Sequence, residues 1–453
     1  MANDNDDDND KTTTAQNITT TTATSGMAQN GDGTKHKQDN TTHSSLDFLS
    51  TVEEAFVNNE FAVGIFCDLS KAFDTLDHQI LLSKLEHYGI RGQWLQWFES
   101  YLKNRSQFVE INGTRSTHEP ITVGVPQGSI LGPLLFLIYI NDLPASLDKL
   151  RAVMFADDTN LIIRGENLTE LSSTLNTELC SLNDYFKANK LKLNIDKTKM
   201  VCFRPKNLNF QEADLKVSLE NIQLTCEKSI TFLGLTLDEH LSWENHCNKV
   251  SNKISQNKGV LRRVNRQLPF PSLLTLYNSL ILPHITYGLE IWGRCLNKVS
   301  DRITKIQKEC VRILFRAFWR SHTEPRMKKI GILNFKDLYH YLCLNLTYDI
   351  VKGSCPISLK NSFEHMSDTH TYGLRSTSTN PQDLVVPLPK VKQVRDNFFN
   401  VSPKLWNDIP DEIKNAKNRN IFKKMLKKHL LDKYEWKVNC NNPNCTDTRF
   451  HLV

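Results

Sequence analysis

The sequence predicts an α+β fold, and three observations predict it. Short, largely apolar stretches suited to strands occur at residues 61–69, on either side of a polar turn within 151–163, and at 200–203 and 230–237. Stretches with apolar residues at helical spacing separate them. From about residue 245 to about 335 the pattern is helical and basic.

The 453 residues suffice for two or three packed domains, and 39% hydrophobic content makes most of the chain globular. A net charge of +6 favours a polyanionic partner. That excess is uneven: "MANDNDDDND" opens the chain, and the basic residues gather after about 245. The 11 cysteines form no regular framework. No apolar core of a signal peptide lies in the first 45 residues, so reduced intracellular thiols are expected. No run of about 18 apolar residues occurs, so no membrane partner is expected.

Residues 1–44 are Thr, Asn, Asp, Gly and Gln with almost no large apolar side chains, and are expected to be disordered. Helical spacing begins with Leu46, Leu49, Val52 and Phe56. "FAVGIFCDL" follows as a buried strand. "DHQILLSKLEHYG" predicts a short helix with Asp77 as N-cap and Gly89 as the stop. "QWLQWFESYLKN" predicts another, with Trp94, Leu95, Trp97, Phe98, Tyr101 and Leu102 on its apolar side. "SQFVEING" reads as a strand into a turn. "GPLLFLIYINDL" is a strongly apolar helix with Pro133 in its first turn.

Residues 151–163 read as strand, turn, strand. Leu168, Leu171, Leu175, Leu179, Leu182 and Phe186 then mark an amphipathic helix. "MVCF" and "ITFLGLTL" add strands. Beyond about 360 the pattern is loose until "IFKKMLKKHLL", a basic amphipathic helix.

Two adjacent carboxylates, Asp157 and Asp158, fall in the polar "ADDT" between two strand-like runs. A hairpin would hold both at its tip, where like charges repel unless a cation neutralises them. Hard divalent ions such as Mg2+ bind carboxylate oxygens. Asp68 ends another apolar run, so it too stands at a strand terminus. Three strand-end carboxylates could hold two Mg2+ ions for phosphoryl transfer. Spacing alone does not show that residues 68 and 157 meet. "GVPQGSILGPLLF", with glycines at 124, 128 and 132, is a flexible loop feeding a buried helix, suited to close approach of a ligand.

In this order, "FCDLSKAFDTLDH", "GVPQGSILGPLLF", "FADD", "LKLNIDKTKMVCF", "ITFLGLTLD" and "LPHITYGLEIWG" resemble the reverse transcriptase domain of non-LTR (LINE-type) retrotransposons, from about Ser45 to about Gly293. The resemblance implies a right-hand polymerase: a palm of antiparallel sheet flanked by helices over 45–240, then a helical thumb over 241–335. Residues 336–453 have no assigned role and are expected to be partly disordered.

It further implies that Asp68, Asp157 and Asp158 are the catalytic metal ligands, assisted by the Leu69 carbonyl. Two Mg2+ ions are the implied cofactors, with Mn2+ a substitute. Phe73 maps onto the residue that excludes a 2′-hydroxyl. Gln127 and Gly128 map onto the nucleotide loop. Lys197, with Lys199 as alternative, maps onto the motif lysine. Phe232, Leu233 and Gly234 map onto the primer grip. The implied partners are an RNA template, a DNA primer and dNTPs. The implied reaction is attack of a primer 3′-hydroxyl on the α-phosphate of a dNTP.

Lys249, Lys253, Lys258, Arg262, Arg263 and Arg266 approximate one basic helix face. Arg302, Lys305, Lys308, Arg312 and Arg316 approximate a second. Both suit phosphate contacts.

The family's fingers region and endonuclease are not evident ahead of "FCDLSKAFD", which suggests an N-terminally truncated element. The alternative reading is therefore an inactive remnant that still binds nucleic acid. A two-metal nuclease would leave "GVPQGS" and "FLGL" without a reason. Cys440, Cys445 and His451, with His429 as a fourth ligand, are too irregularly spaced to predict a metal site. The expected location is intracellular, in nucleus or cytoplasm.

Overall fold

A computed structural model describes residues 33–294, 297–369, 382–389 and 391–434. Its centre is a four-stranded antiparallel sheet. The strands are β1 (Phe61–Cys67), β2 (Arg151–Phe155), β3 (Asp158–Gly165) and β4 (Lys199–Phe203), in the order β2-β3-β1-β4. β1 is central and buried throughout, which is why it reads as an unbroken apolar run.

Alternation along the strands divides the core in two. Val63, Ile65 and Cys67 face one side with Met154, Leu161 and Met200. Helices α2 (His78–His87), α3 (Gln93–Leu102), α4 (Leu131–Ile140) and α5 (Leu168–Ala188) cover that side. Asp77 caps α2 by accepting the N–H groups of Gln79 and Ile80, as its sequence predicts. Ala62, Phe66, Val153, Ile162, Val201 and Phe203 face the other side.

That second face is covered by helix α1 (Gly33–Asn58) and by a hairpin of β5 (Ser229–Phe232) and β6 (Leu235–Asp238). Residues 33–44, expected to be disordered, are helical here, and Thr42, His43 and Ser44 are buried. Their polarity hides this in the sequence. They extend the helix that continues through Leu46–Phe56, and Thr42 and His43 line a cavity shared with Leu346 and Arg419 of the C-terminal part of the chain. Residues 1–32 lie outside the described residues.

Helices α6 (Glu244–Val264), α7 (Phe270–Leu280) and α8 (Asn297–Leu314) pack together beyond the hairpin. The boundary expected at 335 is not a break in packing. Helix α9 (Phe335–Val351) is buried on most of its surface. It packs on α8, on α10 (Phe398–Asn407) and on α11 (Arg419–Asp432), within one core. α11 is the basic amphipathic helix of the sequence.

Buried Glu53 of α1 ties three distant segments: it pairs with Arg294 at 2.8 Å and accepts from Asn397 Nδ2 at 2.6 Å. Eight described cysteines are free. Among the described residues, no helix is long and apolar enough to cross a membrane. Cys440, Cys445 and His451 lie outside them. His429 is on α11, where burial lowers its pKa.

Candidate active site

The sheet register brings the three carboxylates to one end. Cys67 of β1 lies opposite Thr159 of β3. Asp68, one residue on, therefore stands beside Asp158, one residue back. β2 and β3 are joined by the two-residue connection Ala156–Asp157, with Phe155 paired to Asp158. Ala156 takes φ 53°, a left-handed conformation that closes the tight turn.

Asp157 and Asp158 are surface residues on a rigid mount. Asp158 nevertheless sits among enough packed atoms that burial raises its pKa, and the charges of Asp157 and Asp68 raise it further. The carboxylates repel one another, as the sequence implied. Among the described residues, no three or more His, Cys, Asp or Glu side chains are already gathered as a metal site. The donor set of hard carboxylate oxygens, with charge in excess, nonetheless fits divalent magnesium.

A cation from the following loop meets this cluster. Lys197 Nζ lies 3.4 Å from Asp68 Oδ2. The strand end is locked from the same side: Asn194 N–H donates to the Asp68 carbonyl at 2.8 Å, and Leu69 bridges to Leu193. The alternative, Lys199, lies in β4 and pairs with Glu227 at 3.1 Å. The structure thus separates two lysines that spacing could not.

The glycine loop docks beside β1's exit. Gly124 N–H donates to Leu76 O at 2.7 Å, and Val125 N–H to Phe73 O at 2.9 Å. Gly124 has φ +83°, and a Cβ there would lie 2.7 Å from the Asp74 carbonyl oxygen. Only glycine fits. Gln127 Nε2 donates to Asp74 Oδ1 at 2.7 Å, and Gly128 is exposed with φ +82°. Phe73 is half-buried, its ring 4.9 Å from that of Phe136 in α4. Its packing role and its place beside the loop coincide.

Phe232 ends β5 and is buried between Phe48 at 4.9 Å and Phe66 at 5.6 Å. Leu233 (φ 44°) and Gly234 (φ 79°) form the turn. Tyr287 Oη donates to Leu233 O at 2.7 Å, and its ring would meet a Cβ on Gly234 at 3.0 Å.

A family model described as reverse transcriptase (RNA-dependent DNA polymerase) matches residues 22–237. This chain carries a reverse transcriptase domain. The RNA-directed DNA polymerase from mobile element jockey of Drosophila melanogaster is 26% identical over 295 residues, covering 63% of this chain and 32% of that protein. The probable RNA-directed DNA polymerase from transposon BS of the same species is 29% identical over 277 residues, covering 58% and 30%. That from transposon X-element is 25% identical over 289 residues, covering 61% and 31%. The domain is of the non-LTR, LINE type. The chain spans about a third of the length of these curated relatives.

Beyond the reverse transcriptase core, Lys253, Arg262 and Arg263 of α6, Arg266 in the turn after it and Lys305 of α8 are exposed. Arg312 departs from the expectation. It is half-buried, its Nε donates to Ser321 O at 3.0 Å, and burial lowers its pKa. It braces a helix end. Lys258 pairs with Glu309, Arg302 donates to Asn248 and Asn252, and Arg316 donates to the Leu268 carbonyl. Arg302, Arg312 and Arg316 of the second basic face therefore brace helices, as Lys258 of the first does. The sequence reading missed Tyr287, Asp74 and Asn194. All three lie inside quoted stretches: Asp74 in "FCDLSKAFDTLDH", Asn194 in "LKLNIDKTKMVCF" and Tyr287 in "LPHITYGLEIWG".

Proposed function

We propose that the chain is an RNA-directed DNA polymerase that transfers nucleotides from dNTPs to a primer 3′-hydroxyl on an RNA template. In this reading the sheet and α1–α5 are the palm, and α6–α8 begin the thumb. One observation carries it: Asp68 and the Asp157–Asp158 turn stand at one end of the sheet, with Lys197 on Asp68.

Asp68, Asp157 and Asp158 would hold two Mg2+ ions, or Mn2+ in their place, with the Leu69 carbonyl assisting. Bound metal would make the 3′-hydroxyl a better nucleophile and neutralise the triphosphate. Lys197 would contribute a further positive charge toward the phosphates. Gly124 lets the loop seat flush on residues 73–76, which sets Gln127 and Gly128 beside the nucleotide. Phe73 closes the sugar side. The clamped Leu233–Gly234 turn would carry the primer end, and Lys253, Arg262, Arg263, Arg266 and Lys305 the duplex phosphates. A reaction ending at chromosomal DNA supports a nuclear as well as a cytoplasmic location.

The test is primer extension. Purified chain with Mg2+, dNTPs and a primed RNA template should extend the primer, and Asp157→Ala should abolish extension. No extension by the unmutated chain, beside a working control enzyme, would leave a nucleic-acid-binding remnant.

A further inference from the structure

We propose that the outward face of α3 is a stacking platform for the single-stranded RNA that leads to the candidate site. Trp94, Trp97 and Tyr101 recur at i, i+3 and i+7, so they share one side of the helix. The sequence assigned all six large residues of α3 to one apolar side; the structure divides them. Leu102 is buried, Leu95 and Phe98 pack on the core, and Tyr101 is half-buried against it. Trp94 is 73% exposed and Trp97 50%. Core packing therefore does not explain the two indoles.

The two exposed indoles and the half-buried Tyr101 ring are arranged as a platform. Trp97 and Tyr101 are parallel within 10°, at 5.8 Å. The Arg105 guanidinium lies over the Tyr101 ring at 5.6 Å and makes no ion pair among the described residues. The one carboxylate of the helix, Glu99, is neutralised by Lys103. The face is thus aromatic and positive. It suits nucleobases, which stack on flat rings, and phosphates, which the free guanidinium attracts.

The platform leads somewhere. At the end of α3 a cavity of about 670 Å³ is lined by Leu102, Arg105 and Gln107, and also by Lys71, Asp74 and Gln127. Arg105 and the glycine loop thus share one cavity. A strand stacked along Trp94, Trp97 and Tyr101 would turn past Arg105 toward Gln127. This continuity, with the charge, favours a single strand of RNA over a second protein. The assignment of the strand as template rests on the polymerase reading; the binding does not.

The test measures binding by the full chain to a labelled oligouridine of about twelve nucleotides. Trp94→Ala with Trp97→Ala should weaken binding by roughly tenfold or more, and Trp97→Phe, which keeps a ring, should retain most of it. Arg105→Ala should lower the salt slope by about one phosphate contact. Binding to fully paired RNA should not change, and circular dichroism melting should show the fold intact. Undiminished oligouridine binding by the double variant would overturn the proposal. So would a loss of self-association in sedimentation with RNA binding unchanged, because the face would then join protein to protein. No readout needs catalysis. Failed primer extension with ring-dependent binding would sink the polymerase reading alone, and extension with ring-independent binding would sink the platform alone.

Discussion

The molecule carries two tight hairpins built alike and finished differently. β2–β3 turns through Ala156 and Asp157, and β5–β6 through Leu233 and Gly234, each with left-handed backbone in a two-residue connection. At the first tip, adjacent carboxylates point to the surface, and burial, with the charges of Asp157 and Asp68, raises the pKa of Asp158. At the second, a tyrosine hydroxyl and a tyrosine ring hold the turn, and Phe232 is sunk into an aromatic cluster. A hairpin is a rigid mount in both cases. What its tip carries decides whether it is a site under electrostatic tension or a fixed structural rail.

The largest expected effect tests that division. Asp157→Ala should remove primer extension altogether and leave thermal stability within about 0.5 kcal/mol, as for an exposed tip. A large drop in melting temperature would break the comparison, because the acidic tip would then be structural too. Phe232→Ala should do the reverse, costing roughly 3–5 kcal/mol in denaturant unfolding, as for other buried phenylalanines.

The two hairpins should also respond oppositely to pH. His246 is buried beside β6, where its Nδ1 accepts the Thr236 N–H at 3.2 Å, and burial lowers its pKa from 6.5 to about 4. The folded chain favours the neutral ring, so this stability is complete above pH 6.5. It is lost as pH falls toward 4, by on the order of 3 kcal/mol. Asp158 has the opposite sign: its raised pKa means that stability is gained as pH falls through the folded value. Unfolding midpoints between pH 4 and 7, compared with His246→Asn and Asp158→Asn, should flatten one slope each. Identical curves for all three chains would refute the assignment. The smallest effect is Tyr287→Phe, which removes one hydrogen bond. It should cost about 1 kcal/mol and raise the KM for primer–template while extension persists. An unchanged KM would detach the clamp from the proposed grip.

These hairpins also mark how far the sequence could be read. Asp68, Asp157 and Asp158 are legible because each closes or interrupts an apolar run. Their meeting is not, because it depends on the pairing of Cys67 with Thr159 across 92 positions of chain. Lys197 and Lys199 differ by two residues. Only the start of β4 shows that one is in the loop facing Asp68 and the other in the strand facing Glu227. Arg312 fitted a basic stripe by spacing, yet its guanidinium serves a backbone carbonyl. Charge in a sequence does not reveal whether it faces water. Thr42 and His43 of α1 were illegible for the complementary reason: polar side chains are buried there, beside parts of the chain some three hundred residues or more away.

The Glu53–Arg294–Asn397 contact has a consequence for synthesis. Glu53 and Asn397 are 344 residues apart. At about 5–20 residues per second, α1 leaves the ribosome roughly 20–70 s before its last partner exists. Through that interval the carboxylate has no Asn397 to meet, and α1 itself lacks part of its final cover. The nascent chain should therefore depend on a chaperone at this helix until its C-terminal segment emerges.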